Sequence, residues 1–292
     1  MQTTISYNSL RARGNDSLSL DEMRAKLPAI FAPAPHESRS SRYVHISTED
    51  VIGALMKEGF EPTEARVTRS RDDDRRGHAK HLVRLRSRMD VASRSVGDTS
   101  FEVVLRNAHD GTASYNFMAG LFRLACLNGM VVSLGSMADV RVKHSGNRQA
   151  QLDQVVHAAL AVVESAPIAL EAPRQWSQIM LLPDEQMALA DGARTLRFGD
   201  ADGNVESPIQ AGQLLEARRA ADTGADLWHT FQRVQENAIR GGLSAWRRDE
   251  TGRRVRRITT REVKGIDQDI RLNKALWQLA DAMAKIKMGT AA

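Results

Sequence analysis

The chain has 292 residues, 42% of them hydrophobic and 26% charged, with a formal net charge of +5 and a pI of about 9.6. This composition is typical of a folded globular protein, and the length permits a sizeable core without disulfides. Cys126 is the single cysteine, which excludes an internal disulfide and a cysteine-based zinc site and favours a cytoplasmic location. The sequence shows neither a secretory signal nor an apolar run of about 20 residues, so no membrane association is expected.

The pattern of apolar residues divides the chain into three regions. Residues 1–41 have few periodic apolar positions and run into a Pro/Ser/Arg-rich stretch, which predicts a flexible N-terminal arm with at most a short helix over Leu20–Phe31. Residues 42–170 mix helical and strand periodicity and are expected to form an α+β core. Residues 171–292 are predicted to be mainly helical and contain a basic segment.

Residues 47–59 give the clearest element of the core. Ser47 has the position of a helix N-cap, apolar residues follow at helical spacing, and Gly59 provides a stop. The periodicity then predicts strands over Glu64–Arg71, His78–Arg88 and Phe101–Arg106, a helix over Ser114–Leu127, and strands over Met130–Leu134 and Val140–Lys143. Because short turns pair sequential strands antiparallel, the predicted fold class is α+β: an antiparallel β-sheet with helices on one face, followed by a mainly helical C-terminal region.

The remaining helices are predicted from apolar periodicity and from their stops. They cover Gln151–Ser165, Pro183–Ala190, Ile209–Ala221, Asp226–Ile239 and Asn273–Ile286. The last helix carries an apolar seam suited to packing against another helix, formed by Leu272, Leu276, Leu279, Met283 and Ile286. The length of this seam predicts a homo-oligomer.

Residues capable of chemistry are few, and most fit structural roles. His78 and His81 fall on opposite sides of a predicted strand, which argues against a shared metal site, and Cys126 is expected to be an inert core residue. Asp72–Asp74 lie between arginines and predict a solvated hairpin tip. Phosphate-loop, serine-elbow and dinucleotide motifs are absent from the sequence, so no cofactor and no metal are predicted.

Two polar turns mark the ends of core elements. Asn107–Gly111 and Asn128–Gly129 are expected to place Gly111 and Gly129 at positive φ, where glycine is favoured. Either turn can be structural or functional. An enzyme centred on Asn107, His109, Asp110 and Asn128 therefore remains a third functional hypothesis.

The basic clusters are the most informative functional feature. On the strand over His78–Arg88, alternation places Val83 and Leu85 on one face and a row of cations on the other. Such a row repels itself unless an anion lies along it, and a nucleic-acid backbone is a common polyanion. A second cluster lies beside Trp246, and arginine with an aromatic neighbour is typical of single-strand binding. The candidate nucleic-acid-binding residues are Arg66, Arg69, Lys80, Arg84, Arg86, Arg88, Arg247, Arg248, Arg253 and Arg254. The alternative is a pair of solvated faces in an arginine-rich protein.

Four motifs resemble a family of phage- and plasmid-borne proteins, the domain of unknown function nine-three-two. They are LRNAHDGT at 105–112, LFRLACLNGMV at 121–131, FQRVQENAIRGG at 231–242 and LNKALW at 272–277. Ala108 departs from the family, in which Ser tends to follow the Asn of the turn. The resemblance covers roughly Tyr43 to the C-terminus and implies an origin in a mobile element or prophage, without implying an activity.

The predicted order of helix, three strands and helix is also similar to the core of single-strand annealing proteins, the superfamily of Red-beta and the eukaryotic Rad annealing factor. That resemblance is topological, and it implies a ring or filament with DNA along a basic groove. The leading hypothesis is a cytoplasmic, homo-oligomeric protein that binds and anneals single-stranded DNA in recombination, with RNA as an open alternative. A protein-interaction factor of a mobile element, anti-defence or regulatory, is the alternative from another class.

Overall fold

The computed structural model describes residues 4–6, 8–12, 16–70, 72–87, 95–96, 99–123, 128–133, 139–142 and 147–289. The chain divides into two compact units, Met1–Leu170 and Glu171–Ala292. The first unit is built on an antiparallel sheet and the second is mainly helical, so the predicted α+β class with a helical C-terminal region is confirmed.

The first unit contains nine strands and four helices within its described residues, and helix α5 begins near its end. The strands are β1 (Thr4–Ser6), β2 (Ser9–Arg11), β3 (Phe60–Val67), β4 (His81–Ser87), β5 (Ser95–Val96), β6 (Thr99–Asn107), β7 (Tyr115–Arg123), β8 (Asn128–Val131) and β9 (Asp139–Val142). The helices are α1 (Leu20–Lys26), α2 (Thr48–Lys57), α3 (Asp73–Arg76), α4 (Arg148–Glu164) and α5 (Ala166–Trp176). A 3₁₀ turn over Pro28–Phe31 follows α1.

The sheet is curled, and every described pairing in it is antiparallel. Its path runs β1-β2-β3-β4-β6-β7-β8, while β5 pairs with β6 and β9 pairs with β7. Helices α2 and α4 pack against each other, α2 contacts β3, and α4 contacts β6, β7 and β9. The Ser47 hydroxyl accepts a hydrogen bond from the Asp50 N–H and Gly59 adopts φ +81°, so the predicted first helix and its stop are confirmed.

Strand β7 corrects the predicted helix over Ser114–Leu127. Phe117 and Leu121 point to one face of the sheet, Met118 and Phe122 to the other, and all of β7 is buried. A strand that is buried on both faces has a nearly continuous apolar sequence. Periodicity cannot distinguish such a sequence from that of a buried helix. Cys126, assigned to the same helix, lies outside the described residues.

The predicted flexible arm over 1–41 contributes to the sheet. Leu10 of β2 lies opposite Ala65 of β3, and Met23 of α1 is fully buried. These apolar anchors are irregularly spaced, so they give no periodic signal in the sequence. The described part of this region is therefore a packed component of the first unit.

One stretch, Gln149–Trp176, is long and apolar enough to cross a membrane by length and composition, with a mean hydropathy of 1.5 in its most apolar window. It is a weak indication, since 44% of that window is buried and α4 packs against the sheet. The absence of membrane association remains a prediction of the sequence.

The second unit consists of helices around an aromatic core, followed by a hairpin and a long closing helix. Its elements are α6 (Pro183–Phe198), α7 (Ala211–Leu214), α8 (Leu227–Arg240), β10 (Ser244–Arg248), β11 (Arg254–Thr259) and α9 (Ile266–Lys287). The rings of Trp176, Trp228, Phe231 and Trp277 pack together in tilted and edge-to-face arrangements, with centroids 4.5–6.2 Å apart. Leu272 and Leu276 of the α9 seam are buried within this unit, and Ile286 stays 63% exposed.

The two glycines predicted at positive φ differ in the structure. Gly111 has φ +77°, as predicted, whereas Gly129 lies in β8 and does not adopt a positive φ. A Cβ added at Gly111 would lie 2.2 Å from Nη1 of Arg39. Gly111 is thus required by both backbone conformation and space.

We expect Gly111→Ala to lower the free energy of unfolding by ~1 kcal/mol or more, because alanine is strained at positive φ and displaces Arg39. Urea unfolding followed by circular dichroism measures the change. Gly53→Ala is the matched control: Gly53 lies inside α2 with nothing within 4 Å of an added Cβ. It should be stabilising by roughly 0.5–1 kcal/mol. Equal stability of wild type and Gly111→Ala would contradict this account of the turn.

Candidate nucleic-acid interface

A hairpin in the second unit carries the most exposed positive charge described in the chain. Strands β10 and β11 pair with Ala245 opposite Ile258 and Trp246 opposite Arg257. Asp249 closes the turn between them. Its carboxylate accepts hydrogen bonds from the Thr251 hydroxyl and from the N–H groups of Thr251 and Arg253, and these bonds lower its pKa. We call Ser244–Thr259 the arginine hairpin.

Six arginines project from the arginine hairpin into solvent. They are Arg247, Arg248, Arg253, Arg254, Arg256 and Arg257, all exposed, against two acids at the tip, Asp249 and Glu250. Within the described part of the chain, none of the six guanidinium groups forms an ion pair with a carboxylate. Arg247 lies directly opposite Arg256, an arrangement of like charges that is unfavourable without an anion.

Trp246 gives the arginine hairpin an aromatic surface. Its side chain is 44% exposed, and Cζ of Arg254 lies 5.8 Å from its ring centroid. An exposed indole beside guanidinium groups can stack on a nucleobase while the cations contact phosphates. The hairpin thus combines the two contacts that a single strand requires.

The base of the arginine hairpin is fixed to the helical unit. The Leu243 N–H donates to the Thr260 hydroxyl at 3.0 Å, and the Gln213 side-chain amide donates to the Ser244 carbonyl at 2.9 Å. Arg218 donates to the Gly241 carbonyl and, at 2.7 Å, to the Asn237 side chain. A rigid base presents the cations at a defined position.

The motif at 231–242 forms helix α8, where polar side chains are buried because they hold neighbouring segments. Glu236 binds Arg219 at 2.7 and 2.9 Å and Arg240 at 3.1 Å. Asn237 donates to the carbonyls of Leu214 and Glu216. These contacts fix the loop before α8 and support the hairpin base, which is a structural role.

The four hairpin residues predicted to bind nucleic acid, Arg247, Arg248, Arg253 and Arg254, are all exposed. Arg256 and Arg257, which belong to the same basic cluster of the sequence, are exposed as well, but the hairpin itself was not predicted. The available signal was a polar turn ending in Gly252, at φ +80°, between two short basic runs.

The prediction that Arg84 and Arg86 form an exposed row is wrong. Both lie on the face predicted by alternation, but that face is covered: Arg84 is 1% exposed and the Arg86 side chain 12%. Arg84 Nη1 lies 3.2 Å from Glu102 Oε2, and its Nε lies 3.5 Å from Glu64 Oε2. Arg86 Nη2 donates to Glu102 Oε1 at 2.9 Å, and its guanidinium lies over the Phe122 ring.

The other predicted residues in the first unit are dispersed. Arg66 is partly buried and pairs with Glu64, while Arg69 is exposed and Lys80 is partly exposed. Arg88 lies outside the described residues. The continuous basic face expected on this sheet is therefore not formed by its described members.

We call Arg11, Glu64, Arg66, Arg84, Arg86 and Glu102 the interior charge cluster. Glu102 is fully buried and also accepts a hydrogen bond from the Thr63 hydroxyl at 3.0 Å. Burial alone raises the pKa of Glu64, but the guanidinium groups of Arg11, Arg66 and Arg84 outweigh it and lower that pKa to about 2. The Glu64 carboxylate therefore stays ionised beside these guanidinium groups.

Two glycines make room for Arg84. A Cβ at Gly129 would lie 2.8 Å from Cζ of Arg84, and one at Gly120 would lie 3.1 Å from its Nη1. This close approach, rather than a positive φ, accounts for Gly129.

The turn motif at 105–112 builds a buried hydrogen-bonding centre around Thr48 of α2. The Thr48 hydroxyl lies 2.9 Å from His81 Nε2 and 3.2 Å from the side chains of Asn107, His109 and Tyr115. All five residues are fully buried. The centre ties α2 to β4, β6 and β7 and offers no open surface to a substrate.

Other groups considered for catalysis have local structural partners. Asp110 accepts from the Thr112 N–H at 2.9 Å and hydroxyl at 2.6 Å, and Asp72 caps α3 by accepting from the Asp74 N–H. Across the described residues, no group of three or more His, Cys, Asp or Glu side chains is placed to hold a metal ion.

The family model described as "Domain of unknown function (DUF932)" matches residues 35–277. The chain is 40% identical over 272 residues to the UPF0380 proteins YafZ and YfjQ of Escherichia coli (strain K12), covering 93% of each chain in both comparisons. No solved structure matches.

We expect Glu102→Ala to lower the free energy of unfolding by roughly 3–5 kcal/mol, because it leaves Arg84 and Arg86 buried without their shared partner. Urea denaturation at neutral pH measures the loss. Glu49→Ala is the matched control, since it breaks an exposed ion pair with Arg24 and should cost at most about 1 kcal/mol. Similar losses for the two variants would contradict the interior role of Glu102.

The depressed pKa of Glu64 predicts an acid dependence of stability. Folding favours the ionised form of Glu64. Its contribution to the free energy of unfolding is therefore complete above the ordinary pKa of 4.5 and is lost as pH falls toward the folded-state pKa of about 2. The difference in urea midpoint between wild type and Glu64→Gln should therefore be largest near neutral pH and shrink below pH 4.5. Glu37→Gln is the matched control, because it removes the charge of an exposed carboxylate. A difference that stays constant with pH would contradict the assignment.

Proposed function

The chain belongs to the DUF932 family, and we propose that this member binds single-stranded DNA through its arginine hairpin. The observation that carries the proposal is the set of six exposed guanidinium groups without carboxylate partners among the described residues. Phosphate oxygens match the planar guanidinium fork, and release of counterions from the strand favours binding.

The preference for a single strand rests on Trp246. A base free of its complement exposes a face on which an indole can stack, whereas the bases of a duplex are already stacked. A two-stranded ribbon can also enter the major groove of a duplex, so duplex DNA is the natural comparison. RNA offers the same phosphates and free bases, and it belongs in the same test.

The finer part of the proposal is that the protein anneals single-stranded DNA as a homo-oligomer, in the cytoplasm and on a phage- or plasmid-type element. It now rests on the family motifs and on single-strand binding alone. The topological likeness to annealing proteins needs a second helix, whereas the chain forms β7 there. Leu272 and Leu276 of the α9 seam are buried within their own unit, so less of the seam is available to a second copy.

A protein-interaction factor remains the second candidate because the same surface favours it. Six cations around an exposed tryptophan fit an acidic protein surface as well as a phosphate backbone. Binding to an acidic protein would not require the indole to stack on a base. Substitution at Trp246 therefore separates the two candidates.

We expect the triple variant Arg247→Ala, Arg254→Ala, Arg256→Ala to bind labelled oligo(dT) more weakly than wild type. The slope of log affinity against log salt should shrink by roughly 0.7 per arginine removed, because fewer counterions are released. Fluorescence anisotropy across a salt series measures both effects. The fold should be retained, since the variant removes a like-charged cross-strand pair.

A second triple variant, Arg24→Ala, Arg75→Ala, Arg174→Ala, has the same charge change at arginines that pair with local carboxylates. It should retain the wild-type slope. Trp246→Ala should cost about 1–3 kcal/mol on oligo(dT) and much less on duplex DNA. Superimposable curves for wild type and the hairpin variant, or no wild-type binding to DNA or RNA at low salt, would contradict the proposal and favour a protein partner.

A further inference from the structure

A concave site in the first unit has no role so far. It is a pocket of about 260 Å³ between the C-terminal end of α1 and the segment that joins β3 to β4. Lys26 and Pro28 line it on the α1 side, and Val67 and Arg69 line it on the β3 side. Arg76 of α3 completes the rim.

The charges around this pocket are unbalanced. Lys26 and Arg69 are exposed and, among the described residues, neither forms an ion pair with a carboxylate. Arg76 pairs with Asp73 through one terminal nitrogen. Three cations that converge on one concavity with a single carboxylate partner favour an anionic group, and guanidinium groups suit phosphate in particular.

The rest of the wall is mixed: Leu27, Pro28, Ala29 and Val67 are apolar, whereas Asn8, Thr68 and Ser70 are polar. Leu27 and Ala29 are buried and hold the 3₁₀ turn that begins at Pro28 against the core. Pro28 and Val67 present aliphatic surface toward the pocket. Apolar walls with a few convergent polar groups are the usual setting for a ring held beside a charged substituent.

We propose that this pocket binds a 5′-mononucleotide, with the phosphate at Lys26, Arg69 and Arg76 and the base against Pro28 and Val67. The volume sets the size, since about 260 Å³ is slightly below the ~300–1,000 Å³ of sites for larger ligands. The site lies in Met1–Leu170 and the arginine hairpin lies in Glu171–Ala292. The proposal therefore does not depend on DNA binding by the hairpin.

Isothermal titration of the full chain at low salt tests the site, with AMP, GMP, CMP and UMP as separate probes. At least one nucleotide should bind, and its nucleoside, which lacks the phosphate, should bind at least tenfold more weakly. No heat from any of the four nucleotides up to millimolar concentration overturns the proposal. Equal affinity for nucleotide and nucleoside overturns the role of the three cations.

The location is tested with the double variant Lys26→Ala, Arg69→Ala, which should weaken nucleotide binding at least tenfold. Arg75→Ala is the matched control, because Arg75 lies beside Arg76 in α3, pairs with Asp72 and does not line the pocket. It should bind the nucleotide as wild type does. Thermal unfolding of the variants checks that each is folded.

A folded double variant with wild-type affinity places the site elsewhere and overturns the proposal. The hairpin variant distinguishes this proposal from the proposed function: Arg247→Ala, Arg254→Ala, Arg256→Ala should keep nucleotide binding and bind oligo(dT) more weakly. The pocket variant should show the reverse.

Discussion

The Arg84 side chain is buried on one face of the sheet between two carboxylates. Its contacts join four strands, so their arrangement depends on these contacts. Glu64 comes from β3, Glu102 from β6 and the Met130 carbonyl from β8, while Arg84 itself lies on β4. A fully paired buried ion cluster adds little net stability, but a charge left without its partner there costs several kcal/mol. A one-residue slip of β3, β4 or β6 would turn a charge to the wrong face. The cluster therefore specifies the register of the sheet more than it strengthens it.

The arginines of this chain serve two physical purposes that composition alone cannot separate. Inside the first unit, guanidinium groups are matched to carboxylates and to a carbonyl, as Arg84 and Arg86 show. In the arginine hairpin, by contrast, guanidinium groups are exposed and have no carboxylate partner in the part of the chain that the structure describes. A net charge of +5 thus understates the local excess. The charge that matters for a polyanion is concentrated on one short hairpin.

The sequence predicted local features well and long-range burial poorly. The Ser47 cap, the Gly59 stop and the two faces of β4 follow from short-range geometry, and all are present. Period-2 alternation does not show whether the polar face of a strand is exposed or buried. Here that face is buried against Glu64 and Glu102, which lie on other strands and are distant from Arg84 in the sequence. Arg84 was therefore assigned to an exposed site. Strand β7 was missed for a related reason, since burial on both faces removes the alternation that identifies a strand.

The opposition of Arg247 and Arg256 also affects how the arginine hairpin responds to its surroundings. In the free protein, repulsion between like charges works against the pairing of β10 and β11. An anion seated between them converts that repulsion into attraction for a shared partner, and any ligand specific to the folded form stabilises it by mass action. Backbone amides of the hairpin should then be the ones whose exchange with solvent deuterium slows most when a polyanion binds. Local opening of the arginine hairpin and binding of an anion to it are therefore thermodynamically linked.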